Sequence, residues 1–428
     1  MLDIKRIRQN QELIQTTADL KGIPLSVAEL VELDEERRLL LKQVEGYRQE
    51  RNRLSQQISR LFQEGNLQDA ENGKRQVSQL KTEMEQLEKT LREVEKVFTQ
   101  LMMRVPNIVS PDTPVGRSDE DNVELRRVGE VPAFSFEPRD HVALGELHRL
   151  IDLPRGVKTA GSRNYYLNGI GALLHRAVQQ LALDMLLSRG FHLLDVPLMV
   201  RTESMLGTGY FPTGEDQTYR LTEGDRWLVG TSEVPLVSYY SNEIVDVTEP
   251  IKLAAASLCF RNEVGSAGKD VHGLYRVHQF AKVEQVIICE DNIEMAERML
   301  KEITENAEQL LQLLELPYRV MAVCIGDMSQ KTYKQYDIET WMPSRQAYGE
   351  THSSSLLLDF QARRSNIRFK DAAGRLKYCY TLNNTAVASP RILIPLLENH
   401  QREDGSIRIP SALRPYLGGV EEIALPAV

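Results

Sequence analysis

The sequence predicts an α+β chain: a long N-terminal hairpin of two helices, then a larger part in which helices pack on an antiparallel sheet. Three observations predict it. Leu33, Leu40, Tyr47, Leu54 and Leu61 recur at heptad spacing, and Val77, Met84, Leu91 and Phe98 do so again further on. Two stretches around residues 258–263 and 275–288 carry the period-two alternation of paired strands. Residues 292–316 form an amphipathic helical pattern that feeds an apolar run at 318–325, a helix-to-strand step.

Length and composition bound the rest. At 428 residues the chain exceeds one typical domain, so two or three are expected, and 42% hydrophobic residues suffice for a sizeable core. The formal charge of -9 gives no global sign of nucleic acid, so any such surface must be local. Cys259, Cys289, Cys324 and Cys379 form no Cys-x-x-Cys pair and lie near no His at ligand spacing. That pattern suggests a reducing compartment and no structural zinc. No apolar signal core follows Met1, and no run of about 18 apolar residues occurs. A cytoplasmic protein with no membrane partner is expected.

Residues 1–26 read as a basic start, a helix and a turn at Gly22-Ile23-Pro24. The first heptad run adds Val44 and Ile58 at the interleaved position; the second adds Leu80, Leu87, Val94 and Leu101. Gly65-Asn66 and Gly73 separate the two runs. One apolar seam cannot bury itself, so the two helices should pack antiparallel. Each would be roughly 45 Å long. Arg51 occupies a seam position and is a weak point. Such hairpins commonly serve oligomerisation or spacing, and the balanced surface charge does not by itself point to RNA. Pro106, Pro111, Pro114 and Pro132 mark residues 106–135 as a linker. The expected division is therefore 1–105, 106–135 and 136–428.

Residues 172–188 have helical periodicity ending at Gly190, and a strand is expected at 191–196 before Pro197. Residues 227–235 read as a strand and turn carrying Thr231 and Glu233. In the paired strands, Arg276, His278, Phe280, Lys282 and Glu284 share one face, while Val277, Ala281 and Val283 take the other. Arg261 and Glu263 share a parity in the preceding strand. On periodicity alone this face reads equally as a solvated surface with chance ion pairs. The eight His show no metal-ligand or triad spacing. His272, His278 and His352 suit structural or RNA-facing places.

Phe260-Arg261-Asn262-Glu263, the loop with Gly265, Gly268 and Gly273, and the run from Arg276 to Glu284 resemble motif 2 of the class II aminoacyl-tRNA synthetases, most of all the seryl-tRNA synthetases. The resemblance extends along essentially the whole chain: Val105-Pro106-Asn107-Ile108, Phe136-Glu137-Pro138-Arg139-Asp140-His141, residues 331–341, residues 348–355 and residues 380–391 all take part. It implies a class II catalytic domain on an antiparallel sheet. It implies a hairpin that holds tRNA(Ser), and also tRNA(Sec), through phosphate contacts. Residues 172–197 fill the motif 1 slot, which in that class forms a homodimer interface.

The resemblance also assigns roles. Arg261, Glu284 and Arg391 would be catalytic. Thr231, Glu233, Arg261, Glu284, Asn383 and Thr385 would hold serine, its ammonium and hydroxyl facing carboxylates and its carboxylate facing a guanidinium. ATP would lie on Arg261, Glu263, Arg276, Val277, His278, Phe280, Glu350, Ser353 and Arg391, with Phe280 on adenine. Glu350 and Ser353 would hold Mg²⁺. No DNA partner is implied. Several positions depart from the family: Thr351, His352, Leu356, Ala386 and Pro390. Lys334-Gln335 reads as an extra pair on one alignment. Pro395 inside a helix would cost about 3 kcal/mol, so the motif 3 helix should begin late or kink. The implied activity is ATP-dependent serine–tRNA ligation. A paralogue that binds tRNA without charging it, or a ligase that loads a carrier protein, are the competing readings.

Overall fold

A computed structural model describes residues 1–264 and 272–425; Gly265 and Gly268 of the expected loop lie outside them. The chain separates into two compact units, Leu2–Pro106 and the part from Asn107 onward.

The N-terminal unit opens with α1 (Ile4–Gln9) and α2 (Gln11–Leu20), a turn through Gly22, and then α3 (Val27–Gln63) and α4 (Leu67–Arg104). Ser26 caps α3 by accepting from the Glu29 N–H, and Asn66 caps α4 by accepting from that of Asp69. The long helices pack on each other along the expected seam, with Leu40, Val44, Leu91 and Val94 buried together. At 37 and 38 residues they are about 55 Å long, longer than expected. α3 begins at Val27, ahead of the first heptad residue Leu33, and α4 runs through Gly73, which does not break the pattern. A Cβ there would come within 2.7 Å of Ile58 Cγ1, so glycine lets the two helices approach closely. Arg51 is half-buried and reaches sideways to Asn52 at 3.2 Å.

The second unit is built on an eight-stranded sheet. In chain order its strands are β1 (Val123–Val128), β2 (His192–Leu193), β3 (Ile251–Phe260), β4 (Gln279–Cys289), β5 (Tyr318–Ala322), β6 (Lys334–Met342), β7 (Ala347–Leu358) and β8 (Tyr380–Ser389). The spatial order is β1-β5-β6-β7-β8-β4-β3-β2. Every neighbouring pair is antiparallel except the short parallel contact of β2 with β3. The stretch read as a linker therefore contains an edge strand: β1 pairs with β5 across a bulge. Its exposed Val123 and Leu125 concealed the strand from a search for buried apolar runs. The strand expected at 191–196 shrinks to two residues.

Two helices cover one face of the sheet, α6 (Ile170–Ser188) and α8 (Ile293–Leu313). Leu174, Val178, Leu300, Ile303 and Leu310 meet Val283, Ile287, Leu356 and Leu382 in the main core. Each such side chain contributes about 1.5–3 kcal/mol by leaving water. Along β4 the opposite face changes character. Phe280, Lys282 and Glu284 face a cavity, and then Val286 and Ile288 join a second core with Leu236 and Val237 of α7 (Glu233–Ser238). Between α4 and α6 lies α5 (His141–Leu147), and α9 (Leu393–Asn399) follows β8.

Candidate functional site

A cavity of about 540 Å³ opens on the sheet face away from α6 and α8. The end of β3, the middle of β4, β7 and β8 bring their polar side chains into it. Every residue expected in the site lines it except His278. The strand expected from residue 275 begins only at Gln279, so Tyr275, Arg276 and Val277 reach the cavity from irregular backbone. There His278 turns out of the alternation. Its Nδ1 lies 3.0 Å from the Arg261 carbonyl and 3.0 Å from the Tyr219 hydroxyl, behind the wall.

One end of the cavity is a carboxylate–lysine cluster. Glu284 is only 2% exposed and ion-pairs with Lys282. Burial pushes the Glu284 carboxyl up, and Lys282 opposes that shift. Lys282 Nζ also donates to Thr231 Oγ1 at 2.7 Å. Glu233 opens α7 and accepts from Lys331 Nζ at 2.6 and 2.7 Å, from Gln361 at 2.7 Å and from Asn383 at 2.8 Å. Thr385 stands opposite Glu284 across the β8–β4 ladder. Expectation placed both carboxylates here but gave no role to the lysines. Lys282 was detectable, since it lies two residues before Glu284 on the same strand face. Lys331 and Gln361 were not, because they meet Glu233 from distant segments.

The other end is cationic. Arg261 donates from Nε to the Gly230 carbonyl at 3.2 Å, and its guanidinium lies 5.3 Å from the centre of the Phe280 ring. Burial works against its charge, but Tyr210, Cys259, Glu263 and Glu350 outweigh that, and its pKa is raised. Arg391 donates to the carbonyls of Tyr275 at 3.0 Å and Glu350 at 3.2 Å, and sits 4.5 Å over the Tyr275 ring. Arg276 pairs with Glu263 at 3.4 Å, where Glu263 adopts a positive φ of 50°. The two arginines thus belong to one cavity.

An acidic edge completes the site. Glu350, Ser353 and Asp327 line the cavity, and Asp337 pairs with Ser353 across β6 and β7. Burial and then the charge of Glu350 push the Asp337 carboxyl well up. Lys334 and Gln335, read as extra, simply open β6; Gln335 donates to Asp337 at 2.9 Å and to Ser353 at 3.2 Å. Among the described residues no group of three His, Cys, Asp or Glu forms a metal cage. The donor set, a few carboxylates and a hydroxyl beside a cationic anion pocket, fits an Mg²⁺ ion that takes most of its ligands from phosphates and water.

After β8 the helix is delayed, one of the two outcomes expected from Pro395. Ser389 is the last residue of β8, its hydroxyl 2.8 Å from His175 Nδ1, and the Ser389–Pro390 peptide is cis. The helix begins late, at Leu393, so Pro395 falls in its first turn, where an N–H has no intrahelical partner. Leu356 and Ala386 are fully buried in the core behind the wall.

Comparison with known proteins gives consistent matches. Residues 1–109 match the seryl-tRNA synthetase N-terminal domain, and residues 219–400 match the tRNA synthetase class II core domain (G, H, P, S and T). A serine–tRNA ligase of Deinococcus radiodurans is 45% identical over 100% of both chains. The seryl-tRNA synthetase of Pyrococcus horikoshii, solved with ATP, superposes with a TM-score of 0.91 at 37% identity, covering 100% of both chains. The cytoplasmic serine–tRNA ligase of Naegleria fowleri, solved with AMP, gives a TM-score of 0.86 at 27% identity over 100% of this chain and 99% of that one.

Proposed function

The chain belongs to the seryl-tRNA synthetase family of class II aminoacyl-tRNA synthetases, and we propose that it is a serine–tRNA ligase working in two steps. In the first, a serine carboxylate oxygen attacks the α-phosphorus of ATP. The new O–P bond forms as the bond to the β-phosphate oxygen breaks, and pyrophosphate leaves. In the second, the 2′- or 3′-hydroxyl of the terminal tRNA adenosine attacks the acyl carbon, and AMP leaves. Such transfers need positioning and charge neutralisation more than a protein nucleophile.

The residues have chemistry suited to these tasks. Arg261 neutralises the serine carboxylate and the α-phosphate, and Arg391 faces the nucleotide from the other side. Phe280 offers its ring to adenine. Glu284, Glu233, Thr231, Asn383 and Thr385 receive the serine ammonium and hydroxyl. Glu350 and Ser353 would hold Mg²⁺, which supplies positive charge to the phosphates. The N-terminal hairpin would grasp tRNA(Ser), and the segment of α6 and β2 would form a homodimer interface. The observation that carries the proposal is the convergence of Arg261, Arg391 and buried Glu284, distant in sequence, on one cavity.

Serine-dependent ATP–pyrophosphate exchange, followed by charging of tRNA(Ser), tests it. Exchange with serine and no other amino acid is expected. Binding of tRNA without exchange would support a non-charging paralogue, and exchange without tRNA charging would support a carrier-protein ligase. Departures at Leu356, Ala386, Pro390 and Pro395 motivate the paralogue reading; of these only Pro390 lines the cavity, and the packed hairpin of α3 and α4 argues against a carrier-protein ligase.

A further inference from the structure

A buried carboxylate beneath the nucleotide end of the cavity joins three segments that sequence keeps apart. Glu398 of α9 is fully buried. Its Oε1 accepts from the backbone N–H of His141 at 3.0 Å, lies 2.9 Å from His141 Nδ1, and accepts from Ser344 Oγ at 2.9 Å. Its Oε2 accepts from the Ser344 N–H at 3.0 Å. The far nitrogen of His141, Nε2, accepts from the Leu274 N–H at 3.2 Å. A ring that accepts at Nε2 carries its proton on Nδ1, so His141 is neutral and donates to Glu398.

The neighbours reinforce this anchor. Asp140, the cap of α5, lies 3.0 Å from His272 Nε2, so the first turn of α5 holds the chain on both sides of Gly273. Gly273 has a φ of 64°, and a Cβ there would fall 2.0 Å from His141 Nε2. Beyond Ser344, the guanidinium of Arg345 lies 4.0 Å from the centre of the Tyr275 ring. Arg391 also lies over that ring, at 4.5 Å, and donates to the Tyr275 carbonyl. Glu398 therefore holds Tyr275 by two routes: His141 to Leu274, and Ser344 to Arg345.

We propose that His141 and Glu398 are positioning residues for ATP: they lock Leu274 and Tyr275, and Tyr275 in turn sets the guanidinium of Arg391 in the cavity. Neither touches the cavity itself. This rests on the reading of the cavity as an ATP site. The carboxylate–lysine end contacts none of these groups, so the effect falls on ATP and spares serine.

The test is steady-state ATP–pyrophosphate exchange by the full chain and its His141→Leu, His141→Gln and Ser344→Ala variants, with thermal melting alongside. His141→Leu strands the Leu274 N–H and should raise the KM for ATP about tenfold, leaving the KM for serine unchanged. Glutamine offers an N–H donor and a carbonyl acceptor and should restore most of the loss. Ser344→Ala removes one donor at an exposed residue and should raise the KM for ATP about threefold; it decides the matter if His141→Leu does not fold. An unchanged KM for ATP, equal rises for ATP and serine, or no recovery with glutamine overturns the proposal. A wild-type chain without exchange instead overturns the ATP reading beneath it.

Discussion

Arg391 illustrates how much a single side chain here depends on its fixed geometry. Its guanidinium uses two nitrogens on two carbonyls while its plane lies over Tyr275, and a lysine ammonium can reproduce the charge but not the fork. Arg391→Lys should therefore lower kcat/KM for ATP–pyrophosphate exchange by about a hundredfold with the melting temperature little changed, measured by exchange kinetics and calorimetry. Gly273→Ala should damage the same end by another cause. Its methyl would collide with His141 at a backbone angle that disfavours any side chain, so both stability and the KM for ATP should suffer. At this scale, strand alternation set Arg261 and Glu284 on side-chain faces of their strands, and the resemblance to the class II synthetases marked their roles and those of Glu350 and Arg391. They did not mark Lys331 or Gln361, whose partner Glu233 is far away in the chain, nor the turn that takes His278 out of line.

The helical hairpin and the sheet are elements of different kinds. In the hairpin the apolar seam between α3 and α4 is the main packing, and Leu91 lies buried within it. Leu91→Ala should cost about 2–4 kcal/mol, read as an earlier loss of helical circular dichroism. Serine-dependent exchange should persist in that variant while tRNA charging weakens, and equal loss of both would contradict the division of labour proposed for the two units. The heptads were legible because two facing helices need only a local repeat. The position of the break was less so, since Gly73 has the composition of a turn and the role of a close contact. In the sheet, β4 was legible in its buried half and misread at its start, where the backbone is irregular.

Across the whole molecule, buried ionisable groups tie stability to pH. Burial holds His352 down at about 3 and His175 down at about 4, from an ordinary value of 6.5. A group with a depressed folded pKa contributes stability that is present above its unfolded pKa and is lost as pH falls towards the folded one. Acidification from 6.5 towards 3 should therefore lower the unfolding free energy, and His352→Gln should flatten that slope in denaturant titrations at stepped pH. Asp337 has the opposite sign: its raised carboxyl favours the fold while protonated and loses that contribution as pH rises. Asp337→Asn should gain stability over the wild type towards alkaline pH.

The hairpin, the strand-loop-strand at 258–288 and the identity of most cavity residues follow from the sequence by itself, because heptads, alternation and motif chemistry are local or nearly so. Pairing decided the rest. The edge strand β1, the late start of α9, the lysines that meet Glu233 and Glu284, and the link from Glu398 through His141 to Leu274 join segments that share no local pattern. Hydrogen bonds and burial between such segments exist only once the sheet has brought them together.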